Sequence, residues 1–201
     1  MKKCLFAFLI LFFSGMTLLF AQDKTPSKAR EFGLTFSNLD NFGILYKTGN
    51  DKTLLRLSLL ALNLNTYHDY GRDIDSIDHK YTGMGAGFRI GFEKRILLVK
   101  NLNLILGSEI GISYSSNRQE DDNYKITQWN LSPGADFIFG VAYQPGEHFI
   151  ISAEVTPGLA YLFGKSNVTR NHVTNEVTTN NLIFGLSNNN AAITIAYRFS
   201  K

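Results

Sequence analysis

The 201-residue sequence has one cysteine, one tryptophan, four prolines and four histidines. Each scarcity removes a class of chemistry. The cysteine, Cys4, stands before the N-terminal apolar run. A lipid-bearing cysteine would follow such a run, so no lipoprotein anchor is expected. Beyond residue 21 no disulfide, thiolate metal site or cysteine nucleophile is possible. After that first stretch no apolar run approaches the roughly 20 residues that a spanning helix needs. A strong charge of one sign is also lacking. The formal net charge is +3, and losing Lys2 and Lys3 with residues 1–21 takes it to +1. With no lysine- or arginine-rich face, there is no electrostatic basis for a nucleic-acid partner.

His68, His79, His148 and His172 show no His-x-x-x-His spacing, and all lie in or beside polar connections. Asp69, Asp73, Asp75 and Asp78 crowd one such connection, and carboxylates suit a hard cation such as calcium. Their spacing lacks the glycine and distal glutamate of a calcium loop. No metal or other cofactor is expected.

What is present begins with a leader. Lys2 and Lys3, an apolar run from Leu5 to Phe13, and the small Ala21 describe a signal peptide over residues 1–21, cleaved after Ala21. The alternative is an uncleaved membrane anchor. Residues 22–30 form a short polar lead, and residues 31–201 suit a single domain.

That domain is written in alternation, the period of strands. Phe32, Leu34 and Phe36 alternate with Gly33 and Thr35. Phe42, Ile44 and Tyr46 follow the same rule. Residues 53–65 read as a strand, with a helix as the competing assignment. The Leu60, Leu62, Leu64 set falls out of phase with Leu55, Leu57 and Leu59, which predicts a bulge or a change of environment near Leu60. Residues 81–94 carry Met84, Phe88, Ile90 and Phe92 against Gly83, Gly85, Gly87 and Gly91. Residues 102–115, 125–143, 148–164 and 191–199 repeat the pattern. Residues 182–187 read as an extension of the last strand or as a ninth strand.

Connections at 48–52, 95–101 and 144–147 are short, and those at 66–80, 116–124 and 165–181 are long; 38–41 breaks the alternation. Short turns at one end and long loops at the other are a property of transmembrane barrels. The polar phase holds Arg56, Arg89, Glu93, Glu109, Asp136, Glu154 and Arg198, in strands whose other phase is aliphatic and aromatic. Small and charged residues cannot fill an apolar core, but they suit a narrow ionic interior. Tyr46, Tyr114, Trp129, Tyr143, Phe149, Tyr161, Tyr197 and Phe199 fall near strand ends, where aromatic residues meet a bilayer boundary. The expected fold is all-β: a closed antiparallel up-and-down transmembrane β-barrel of about eight strands.

With its final Tyr197-Arg198-Phe199, the domain resembles the small, porin-like outer-membrane β-barrel family of Gram-negative bacteria. The resemblance implies a cell outer membrane location, contact with outer-membrane lipid and lipopolysaccharide, and a monomer. It implies that Tyr197 and Phe199 form the C-terminal assembly signal read by the barrel-assembly machinery. It carries no catalytic motif. The expected function is therefore non-enzymatic: structural, adhesive or ligand-sensing through long extracellular loops. Two rivals stand beside it. An outer-membrane lipid-modifying enzyme, lipid A deacylase-like, would draw on Ser115 with His79 or His172 and a loop acid. A soluble periplasmic barrel would bind an apolar ligand in its middle.

Overall fold

The computed structural model of the chain describes residues 28–37, 42–70, 78–121, 124–170, 173–185 and 191–199, with backbone alone for 60–70 and 78–79. The leader and residues 22–27, the 38–41 turn and the centre of the acidic 66–80 connection lie outside the described residues. Ten strands follow in chain order: β1 (Ala29–Phe36), β2 (Phe42–Gly49), β3 (Thr53–Tyr70), β4 (Asp78–Val99), β5 (Leu102–Asp121), β6 (Tyr124–Tyr143), β7 (Phe149–Val155), β8 (Gly158–Arg170), β9 (Val173–Gly185) and β10 (Ala191–Phe199). All pairings are antiparallel, in the order β5-β4-β3-β2-β1-β10-β7-β6-β8-β9, and β5 also pairs with β6. That last pairing closes eight strands into a ring, leaving β8 and β9 as an extension above it. β1 starts two residues ahead of the expected boundary, within the segment read as a polar lead.

The extension replaces what reads in the sequence as two loops. Residues 116–121 and 124 belong to the ends of β5 and β6, and residues 165–170 and 173–181 to the paired β8 and β9, where the Thr169 and Thr174 hydroxyls meet at 2.9 Å across the strands. The 22 residues of β4 are at least double the roughly 9–11 that a tilted span requires. Past the apolar zone both faces of these strands meet water, so no hydrophobic alternation remains to mark them. Backbone pairing continues regardless.

β7 and β8 are one line interrupted at Thr156 and Pro157. Proline has no N–H to give a neighbour, but the Pro157 carbonyl still accepts from the Phe137 amide at 2.9 Å. The leucine-rich segment is a strand, and its register against β4 shifts between Leu60 and Asn63, where the phase of the leucines changes. The short turns have local causes. The Asn50 side chain accepts from the amides of Lys52 (2.9 Å) and Thr53 (2.7 Å), and Asn101 takes φ 67°, a conformation asparagine tolerates.

The inner face of so small a ring is crowded. A Cβ on Gly91 would stand 2.5 Å from Glu109 Cβ and 2.6 Å from its Cα, and would meet the Ser108 carbonyl. Gly91→Val is expected to destabilise by about 1–3 kcal/mol through this overpacking. The midpoint of urea unfolding in lipid vesicles measures it.

Candidate functional site

Polarity is turned inside out in the ring. Phe88 is 45% exposed, Ile112 46%, Phe137 66% and Ile195 49%, while Glu93 and Lys47 are 0% and 2% exposed. Register explains the segregation. Leu34 of β1, Ile195 of β10 and Ile151 of β7 form one outward row, and Phe36, Ile193 and Ala153 form the next. Between the two rows, Thr35, Thr194 and Ser152 point inward, and so do Gly33, Ala196 and Ile150 on the other side of the first row.

Glu93, on β4, lies at the centre of the buried charges. It accepts from Lys47 Nζ of β2 at 2.7 Å, Arg56 Nη1 of β3 at 2.6 Å and Arg95 Nε at 2.8 Å. Arg95 grips Glu31 of β1 with both terminal nitrogens, each at 2.7 Å. This is the planar fork that guanidinium presents to carboxylate. Arg198 of β10 reaches the same Glu31 at 2.7 Å and Asp51 of the β2–β3 turn at 2.9 Å. Arg56 Nη2 donates to Glu154 at 2.8 Å, and Glu154 also accepts from Ser152 at 2.9 Å. β3 and β7 stand four places apart round the eight-membered ring, so this bond spans the lumen. Arg56 Nε and Glu109 Oε2 have no hydrogen-bond partner and face each other at 3.6 Å. Higher up, Arg89 lies 3.3 Å from Glu109 and 3.1 Å from Asp136.

All seven charged residues of the polar phase therefore take part in ion pairs. The ring adds Glu31, Lys47 and Arg95, which sequence reasoning did not single out. Among the described residues of the ring strands, five carboxylates and five cations meet, a balanced set, and Asp51 of the β2–β3 turn adds a sixth carboxylate at the rim. The interior is not uniformly ionic. Ile105, Ile138, Ala142, Ile150 and Ala196, on β5, β6, β7 and β10, pack as a buried apolar cluster. Every strand of the ring contributes a charge, from Glu31 on β1 to Arg198 on β10, and the aliphatic cluster shares the lumen with these ion pairs.

At the short-turn end, Tyr197 packs edge-on against Phe149 (ring centres 5.7 Å apart) and Phe199 (5.2 Å), and stacks on His148 (5.3 Å). Ser115 lies 3.5 Å from Asn130 Nδ2. The side chains of His79 and His172 lie outside the described residues. Among the described residues no three histidines, cysteines or acids converge on a metal position. A cavity of about 730 Å³ lies against the outward-facing Phe139, Val141, Val155 and Ile193, whereas one of about 60 Å³ within the strands' inner face is lined by Arg89, Ser113, Ser132 and Asp136. Neither is an enclosed apolar chamber at the centre of the ring, which the soluble-carrier rival needs.

A closed strand ring with an apolar exterior and a charged interior has the polarity of a bilayer-spanning protein, since closure pairs the strands around the ring and turns an apolar face to lipid. No protein-family model and no curated protein matches the sequence. Among solved structures, the chain is similar to a major outer membrane protein from Thermus thermophilus, with 11% identity, TM-score 0.46, and coverage of 86% of this chain and 98% of that one. It is also similar to CarO of Acinetobacter baumannii, with 13% identity, TM-score 0.42, and coverage of 88% and 98%.

Proposed function

We propose that the protein is a non-enzymatic β-barrel of the cell outer membrane. Its ionic and aliphatic interior blocks the lumen, and its long upper strands serve a structural, adhesive or ligand-sensing role outside the cell. The observation that supports this most is the bond from Arg56 to Glu154 across a ring whose outer face is Phe88, Phe137 and Ile195. In water such an exterior would aggregate; in lipid it is the surface that the solvent requires. Membrane fractionation combined with proteolysis of intact cells tests the reading. The chain is expected in the outer-membrane fraction, with cleavage in the 71–77 and 165–181 segments. Recovery as a soluble periplasmic protein would contradict it.

Tyr197 and Phe199 are assigned the assembly role. They sit on the outward face of β10, the strand that joins β1 to β7 within the ring. Deleting residues 199–201 is expected to slow assembly, read as fewer heat-modifiable molecules in a pulse-chase. Normal outer-membrane levels in that variant would refute the role.

A further inference from the structure

We propose that the wall above the closed ring has a gap at the height of the outer leaflet, between β9 and β3, and that the acyl chain of a membrane lipid enters the lumen there. The proposal rests on the outer-membrane reading for the side on which the long strands stand. The gap follows from the pairing. β1 meets β10 and β2 as far as Phe36, and β2 meets β3 as far as Gly43. Beyond Leu60, β3 runs on to Tyr70 beside β4 alone, and β9 lies beside β8 alone. Among the described residues no strand fills the space between them.

The wall stops while its flanks still face hydrocarbon. Phe36 shares an outward row with Ile193 and Ala153. Along the line of Ala153 the outward face stays apolar through Leu159 and Tyr161 to Phe163. On the other flank, beyond the last β2–β3 pair, β4 still turns a half-exposed Met84 outward. The apolar cavity of about 730 Å³ on the outer surface lies at the foot of the gap: Phe36 ends β1, Ala191 begins β10, and both line it.

The free edge of β9 is apolar on both of its faces. Register sets Phe184 opposite Leu159 and Leu182 opposite Tyr161, outward, and Ile183 opposite Ala160, inward. Phe184 is 80% exposed and Ile183 49%. The inward aliphatic groups lower in the ring, Ile105, Ile138 and Ile150, are buried in one cluster. Ile183 stands outside that cluster, and Leu162 beside it on the inner face is half-buried. Water in the lumen would leave both wet at a height where the outer face is in lipid. Hydrocarbon that passes the edge covers them and removes apolar surface from water. The edge also presents backbone amides and carbonyls, which hydrocarbon alone cannot satisfy. The ester region of a lipid seated in the gap, with its hydration water, reaches these groups while the chain covers Ile183 and Leu162.

Trp129 is the sole tryptophan, so Trp129→Phe gives a dark background. The full chain with that change, refolded in vesicles and showing its heat-modifiable band, carries one new tryptophan at a time. The vesicles are phosphatidylcholine, plain or brominated on its acyl chains, bromine being a short-range quencher. Phe184→Trp reports the outer face, Ile183→Trp and Leu162→Trp the inner face at the gap, and Val177→Trp the same inner face farther from the membrane. Brominated chains are expected to remove most of the fluorescence of the first three and little of the fourth. Adding Ile183→Asp to Leu162→Trp is expected to abolish its quenching, because a carboxylate at the edge excludes hydrocarbon. Quenching of Phe184→Trp with none of Ile183→Trp or Leu162→Trp would overturn this inference alone and mean that protein, from this chain or a second copy, fills the gap. Loss of quenching at Phe184→Trp as well would overturn the outer-membrane reading with it.

Discussion

Glu93→Gln is expected to lower stability by about 3–5 kcal/mol, the cost of stranding buried charge by removing its partner. Glu93 is fully buried and accepts from Lys47, Arg56 and Arg95. A glutamine there keeps the shape and loses the anion, and its amide N–H groups point at cations. Lys47 then keeps only the longer pair to Glu154 at 3.7 Å. Lys47→Met added to Glu93→Gln is expected to restore part of the loss, because it removes a stranded cation. A coupling of about 0.5–3 kcal/mol between the two positions follows. Urea unfolding of the four variants in vesicles measures it; additive effects would show that the lumen is wet enough to screen these charges.

Ile195→Arg is expected to cost about 2–4 kcal/mol of insertion and folding free energy, the penalty of arginine near the bilayer midplane. Ile195 is outward and lies between Leu34 and Ile151 in an apolar row. The sign of the effect separates solvents. On a water-facing strand, exchanging a half-exposed isoleucine for arginine is close to neutral. The heat-modifiable fraction after refolding into vesicles measures the difference. A variant that folds as well as the parent would mean that this row does not face lipid.

The strand phases were legible because lipid and lumen demand opposite chemistry at alternate residues. Phe88 beside Arg89, or Ile110 beside Glu109, shows which way each side chain turns. The bulge near Leu60 was legible for the same reason, as a break in phase. Lys47 follows the parity of Gly43 and Leu45 and was within reach of that rule. Arg95 was not, because Ile96, Leu97, Leu98 and Val99 are apolar on both faces and mask the end of β4 as a connection. Ile105, Ile138 and Ile150 were hidden similarly: each sits between outward apolar neighbours, so nothing in the run marks it as inward. The β8–β9 hairpin was illegible for a different cause. Val173 to Thr179 lies where water wets both faces, and pairing there follows from the strands below rather than from its own pattern.

Site-directed spin labelling tests most directly which way the oily residues look. With Cys4 replaced, the chain has no other cysteine, so each introduced thiol is unique. Nitroxides at Phe88→Cys, Ile112→Cys and Ile195→Cys in vesicles are expected to be open to oxygen and shielded from a water-soluble nickel chelate, with Asn117→Cys showing the reverse. Nickel access at the first three positions, with poor access to oxygen, would contradict a lipid-facing exterior.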